Sequence, residues 1–277
     1  MKRNITSLAF DRLGRRLGAM QATRGHLVRG LSEILNPISL VRYFEFDFCL
    51  RQLPKTPKTI LDISSPRLFP LYLASQLKNT KFILLNPDPF DGELSKYCIK
   101  LLGLDNVEIY NQGVRGLLNT HKKSFDFVSS ISVIEHIAGE YDDTKALSFM
   151  LKYLNPGGVL ALTVPLSENK RHEDEYLPDG CKPYEGTHEV QGKNGRFFFQ
   201  RLYTKASINE RLLCWLHAHK VSLSWWGERE KGFYERYSNS SAYNCGNDCR
   251  AFIDNFCQYK SYTEMPGMGI CGIRITD

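Results

Sequence analysis

From residue 58 onward the chain alternates short, β-branched apolar runs with helical stretches, and this alternation restricts its fold more than any other feature. Thr59-Ile60-Leu61-Asp62-Ile63, Phe82-Ile83-Leu84-Leu85, Val107-Glu108-Ile109-Tyr110 and the runs 125 to 131 and 159 to 164 read as strands. Helical patterns fill 68 to 77, 94 to 102 and 145 to 154, the last stopped by Asn155-Pro156-Gly157-Gly158. Strands connected through helices pair in parallel with right-handed crossovers, so the expected fold is α/β with a doubly wound, mostly parallel sheet. Strands this continuously apolar suit burial on both faces. After a polar, Gly-rich stretch, Thr204 or the Ser207-Ile208-Asn209-Glu210 capping box starts a further helix through Trp215. The runs 221 to 226 and 269 to 275 then close the sheet around a Tyr/Asn/Ser-rich insertion.

Residues 1–57 precede this pattern and are expected to form an N-terminal helical arm or cap on a domain spanning 58–277, with insertions at 165–203 and 228–265. In the arm, Phe10, Leu13, Leu17 and Met20 recur at helical spacing, while Gly14, Gly18 and Gly25 weaken the helix. Leu27, Val28, Leu31, Ile34 and Leu35 form a second helical face that Asn36-Pro37 ends, and Ser39 is placed to cap a third helix. Two readings of the arm stand: a membrane-surface, partner or transit segment, and a segment packed on its own domain or on a dimer mate. The second is the expectation, and its dimer form would be a homodimer through the N-terminal helices.

Charge is segregated. Residues 1 to 30 hold seven basic side chains against Asp11 alone, and the remaining chain carries equal numbers of basic and acidic residues. A body without net charge is a poor partner for a nucleic-acid backbone. No stretch approaches the roughly 18–20 uncharged apolar residues that span a bilayer, and no compact apolar segment near the start resembles a secretory signal, so the expectation is a soluble, cytoplasmic chain without stable membrane insertion. Eight cysteines in 277 residues are sparse, and reduced thiols are expected. Cys245, Cys249 and Cys257 have loose metal-like spacing but no histidine follows His219, so no metal is assigned.

Two motifs carry a resemblance. Ser124-Phe-Asp-Phe-Val-Ser-Ser-Ile-Ser-Val-Ile-Glu-His-Ile137, followed by Tyr153-Leu-Asn-Pro-Gly-Gly-Val-Leu-Ala-Leu-Thr-Val-Pro165, resembles the middle of a class I S-adenosylmethionine-dependent methyltransferase. The resemblance implies seven strands with the last antiparallel, S-adenosylmethionine as cofactor, and methyl transfer as the activity. Fold physics gives the same address for a ligand, the crevice at the carboxyl ends of the strands where helix order reverses. By the resemblance, the first loop meets the cofactor's carboxylate through Asp62, Ser64 and Ser65, the second its ribose through Asn86 and Asp88, and the third its adenine through Gln112 and Gly113. Ser130 and Ile131 end the fourth strand beside it. The first loop departs from the family pattern, with Ser64, Pro66 and Leu68 on glycine positions, and Asn86 stands where an acid is usual.

The resemblance places His136 close to the presumed methyl position, and an imidazole suits proton transfer near neutrality. The plainer reading is a histidine hydrogen-bonded to backbone at a helix start. His188 and Glu185, in the Gly- and Pro-containing insertion after the fifth strand, are the next candidates. The fourth strand lacks the Asn/Asp-Pro-Pro-aromatic motif of methyltransferases acting on exocyclic amines of bases or glutamine amides, which implies a small-molecule hydroxyl or amine acceptor. The substituted first loop motivates an alternative, a catalytically inactive methyltransferase-like binding or scaffold subunit.

Overall fold

The structure is a computed structural model that describes residues 7–39, 41–121, 123–168, 171–179, 181, 195–240 and 253–276. Five strands, β1 (Thr59–Ile63), β2 (Lys81–Leu85), β3 (Val107–Tyr110), β4 (Phe125–Ile131) and β5 (Leu154–Leu166), pair in parallel. β10 (Gly269–Thr276) inserts antiparallel between β5 and β8 (Lys220–Glu228), giving the order β3-β2-β1-β4-β5-β10-β8-β9. The sheet therefore holds the seven expected strands, with the last antiparallel, and an eighth. That additional strand, β9 (Phe256–Tyr259), lies in the Tyr-rich insertion and extends the edge antiparallel to β8. β6 (Glu173–Tyr176) and β7 (Phe198–Leu202) form a separate two-stranded ribbon in the other insertion.

Each face of the sheet carries its own core. Alternate side chains of β1 divide between them, Ile60 to one and Leu61 and Ile63 to the other. The first face is covered by α1 (Ser7–Ala22), α3 (Arg42–Gln52), α4 (Leu68–Gln76) and α5 (Pro89–Leu102), the second by α6 (Asp143–Lys152) and α7 (Lys205–Ile208). The N-terminal helices thus share one hydrophobic cluster with the sheet. Trp226 packs beside Phe44 in the first core and Trp225 beside Tyr262 in the second, so the tryptophan pair fills both cores.

Several boundaries differ from the sequence reading, each for a local reason. β5 begins at Leu154 because Leu154 already pairs with Phe125, and the Pro-Gly-Gly run becomes an irregularity within the strand rather than the turn before it. Thr204, not Glu210, completes the capping box, with Ser207, and the helix then widens: the Cys214 amide reaches the Asn209 carbonyl, five residues back. α3 starts at Arg42 without a side-chain cap, so Ser39 does not serve as one. The glycines that weaken α1 are contact points. A Cβ on Gly30 of α2 (Leu27–Leu35) would lie 2.5 Å from the Gly18 carbonyl oxygen, so the two helices touch backbone to backbone. α3 is seated in the same way, since a Cβ on Gly272 of β10 would lie 2.7 Å from the Phe48 ring.

Candidate functional site

The strand order reverses between β1 and β4, and a cavity of about 230 Å³ opens there, at their carboxyl ends. Ser64 and Ser65 from the first loop, Ser132 after β4, and Arg42 of α3 line it, with Arg67 and Asp91. Its volume is below the roughly 300–1,000 Å³ usual for drug-sized ligands, and a more open groove sharing Glu33, Pro37 and Arg67 adjoins it.

The first loop keeps a left-handed backbone without glycine: Ser64 has φ of 53°. Its amide donates to the Leu85 carbonyl at 2.8 Å and its hydroxyl to the same oxygen at 3.1 Å, which holds a conformation a β-carbon disfavours. Asp62 lies beneath the loop, 1% exposed, accepting from the Ser65 amide at 3.1 Å and the Ser129 hydroxyl at 2.6 Å. Burial pushes its pKa up to about 6, against the pull of those donors. Its oxygens face protein donors, so Asp62 fixes the turn that carries Ser64. Ser65 accepts from the Ile131 amide at 3.0 Å, and the Ser130 hydroxyl reaches the Ile63 carbonyl at 3.4 Å, so both ends of the β1–β4 switch are tied together. Ser130 and Ile131 are themselves fully buried.

In the second loop the side-chain amide of Asn86 donates to Asp91 at 2.6 Å while its oxygen accepts from the Asp88 amide at 3.0 Å. Asp88 caps α5, accepting from the Phe90 and Asp91 amides. Both are used in shaping the loop, and the carboxylate this loop offers to the cavity is that of Asp91. Gln112 and Gly113 of the third loop are exposed and outside the cavity lining.

Arg67 dominates the electrostatics. Its guanidinium reaches Glu33 at 3.2 Å and Asp91 at 3.5 Å, yet its Nε is buried with no hydrogen-bond partner. The Cys98 thiol beside it is part of the same cluster, and the Arg67 guanidinium works against the effect of burial on that thiol's pKa. Arg42 is held by Glu45 at 2.5 Å, and Glu45, fully buried, also accepts from the hydroxyls of Ser132 and Thr163. These bonds pin α3 over the switch point.

His136 ends the single turn Ile134–His136. Its Nδ1 lies 2.7 Å from the Phe199 carbonyl oxygen, which only accepts, so Nδ1 carries the proton and Nε2 the lone pair. Burial is the largest influence on its pKa and lowers it. The ring stands outside the cavity lining, four residues beyond Ser132. The neighbouring Glu135 is 1% exposed, its Oε2 has no partner, and burial pushes its pKa up to about 8. Glu185 and His188 lie outside the described residues, as do Cys245 and Cys249. Cys257 is a free, partly buried thiol, and no cluster with metal-ligating composition occurs among the described residues.

Sequence reasoning missed Arg42, Arg67, Asp91, Ser132 and Glu135. Arg67 and Asp91 sit within a few residues of the loops already singled out and were findable as the nearest charges. Arg42 lies outside the methyltransferase pattern and had no signal.

No family profile matches the sequence, and no curated protein does either. Solved structures do match the fold. Coclaurine N-methyltransferase bound to N-methylheliamine and SAH is similar with a TM-score of 0.53 at 13% identity, over 87% of this chain and 73% of that one. A putative S-adenosylmethionine-dependent methyltransferase from Listeria monocytogenes has a TM-score of 0.51 at 12% identity, over 87% and 99%. The fold is that of the class I methyltransferases. YcgJ from Bacillus subtilis, with a TM-score of 0.52 at 10% identity over 85% of this chain and 98% of that one, is similar as well. In this methyltransferase fold, the seven-strand core is β1 to β5, β8 and β10, and β9 is an addition at the edge.

Proposed function

We propose that the chain is an S-adenosylmethionine-dependent methyltransferase whose acceptor is a small molecule bearing a hydroxyl or amine. The observation carrying this reading is the cavity at the switch point lined by two cations, Arg42 and Arg67, the side-chain type that a ligand carboxylate requires. When bound, S-adenosylmethionine supplies an electrophilic methyl group for in-line displacement. Arg67 and Arg42 would hold its carboxylate, Asp91 its ribose hydroxyls, and Gln112 its adenine edge. Ser64 and Ser65 bring the first loop's backbone close, as glycines would. His136, with its lone pair on Nε2 and a lowered pKa, is unprotonated at neutral pH, the state needed to take a proton from the acceptor. His188 and Glu185 remain the next candidates for that role. Support for a small acceptor comes from coclaurine N-methyltransferase, a similar structure that carries N-methylheliamine.

The experiment is calorimetric titration with S-adenosylhomocysteine. The wild type should bind, and Arg67→Ala should bind roughly tenfold or more weakly, the effect of removing a charge-assisted hydrogen bond. No heat from the folded wild type at millimolar ligand would defeat the proposal. That outcome would favour the second reading, an inactive binding or scaffold subunit, which draws on Asn86 being engaged entirely within its own loop.

A further inference from the structure

Helix α2 is inverted relative to its own amphipathic pattern. The face turned to the protein holds Gly30, in backbone contact with α1, and Glu33, which accepts from Gln21 at 2.6 Å and pairs with Arg67. Apart from Ile34, which packs toward Gly18, the apolar side chains point the other way: Leu27 is 58% exposed, Val28 85%, Leu31 48% and Leu35 42%. Leu27, Leu31 and Leu35 stand at i, i+4 and i+8, and Val28 lies three residues before Leu31, so the four make one continuous stripe. Phe90, 68% exposed at the start of α5, extends it, bridged by the Arg29 guanidinium 5.4 Å from its ring centroid. Of the seven large hydrophobic residues exposed among the described residues, these are five. Scattered single apolar residues need no explanation, but a contiguous stripe does.

Charge identifies the occupant. Arg24 in the α1–α2 turn and Arg29 on α2 are exposed, as are Arg12 and Arg16 on the adjoining helix, whereas the acids of the two helices are buried, Asp11 taken by Arg15 and Tyr43 and Glu33 by Gln21 and Arg67. A second copy of the chain would set this cationic segment against itself. An anionic lipid surface meets both halves of the pattern, accepting the aliphatic stripe at the headgroup boundary and drawing the arginines to its phosphates. No described helix is long and apolar enough to cross a membrane, so the contact is peripheral.

We propose that the α2 stripe, with Phe90 and its flanking arginines, docks the protein onto an anionic membrane surface. The groove of about 510 Å³ that runs past Val28 and Arg29 to Arg67 then opens toward the lipid.

The test is flotation of the 277-residue chain with vesicles of pure phosphatidylcholine and with vesicles holding about 30 mol% phosphatidylglycerol. Wild type should float with the anionic vesicles and stay behind with the neutral ones. Replacing Leu27, Val28 and Leu31 together by Ser should lower partitioning roughly tenfold or more, and Arg24→Gln with Arg29→Gln by a similar factor, with melting temperatures unchanged because all five side chains are exposed. Failure of the wild type to float with anionic vesicles would overturn the proposal. So would variants that float like wild type. A dimer in sedimentation equilibrium that the triple Ser variant dissociates would assign the stripe to a second copy instead.

Discussion

Glu135→Gln tests the electrostatics of the buried carboxyl in the turn after β4. Glu135 is buried, one carboxylate oxygen has no partner, and the charge of Glu45 nearby adds to the effect of burial in raising its pKa from 4.5 to about 8. Between those two values the folded chain keeps a proton that the unfolded chain has released. Stability therefore falls as pH rises through that window and levels off above about pH 8. Each pH unit of the gap is worth about 1.4 kcal/mol, so the ionised side chain lowers stability by about 3–5 kcal/mol at high pH, allowing for some relaxation around the charge. Glutamine keeps the shape and cannot ionise. At pH 5, where Glu135 is neutral, the variant should match wild type within about 1 kcal/mol. At pH 9 it should be the more stable by about 3–5 kcal/mol. Urea unfolding followed by the fluorescence of the buried Trp225 and Trp226 reads both. Asp62 also titrates near pH 6, but it is common to both proteins and cancels from the difference. A stability difference that does not change between pH 5 and pH 9 would refute the reasoning.

Asp143, fully buried, accepts from Tyr203 at 2.8 Å and from Arg211, and Asp143→Asn should destabilise toward the lower end of about 3–5 kcal/mol because Arg211 is one-third exposed; an effect under about 1 kcal/mol in urea unfolding would count against the network. Ser64→Ala should lower stability by about 1 kcal/mol, since it keeps the left-handed strain and loses the bond to Leu85, while Ser64→Gly should stay within about 0.5 kcal/mol of wild type as relief of strain offsets the lost bond; equal effects would deny the strain. His136→Ala should reduce kcat by about 10² with S-adenosylhomocysteine affinity nearly constant and the acidic limb of the pH–rate profile gone; a parallel loss of affinity would make it a structural residue.

The architecture was legible because its strands are short, β-branched and buried on both faces, a pattern that periodicity reads directly. β4 fell at 125 to 131 as expected. β9 was hidden because an edge strand in a polar, Tyr-rich insertion has no apolar alternation to mark it. α2 misled in the opposite sense, since its apolar face reads as the buried one and the fold buries Gly30 and Glu33 instead. In the site, loop positions were readable and side-chain roles were not. Asp62 and Asn86 stand at the ends of β1 and β2, but whether a carboxylate or amide faces a ligand or a neighbouring amide is decided by loop geometry, which sequence spacing does not encode. Arg42 is held at the cavity because Glu45 ties α3 to the hydroxyls of Ser132, just after β4, and Thr163 of β5, far along the chain.

The contact between Phe48 and Gly272 also sets an order of events. The strand that receives Phe48 of α3 is made more than two hundred residues after it, roughly 10–45 s later at about 5–20 residues per second. Through that interval Phe48 lacks the strand it rests on. Phe46 meets Phe10 and Phe69 long before then, but Phe48 must wait for β10, so a chain that stops anywhere before Gly269 has an α3 without its seat.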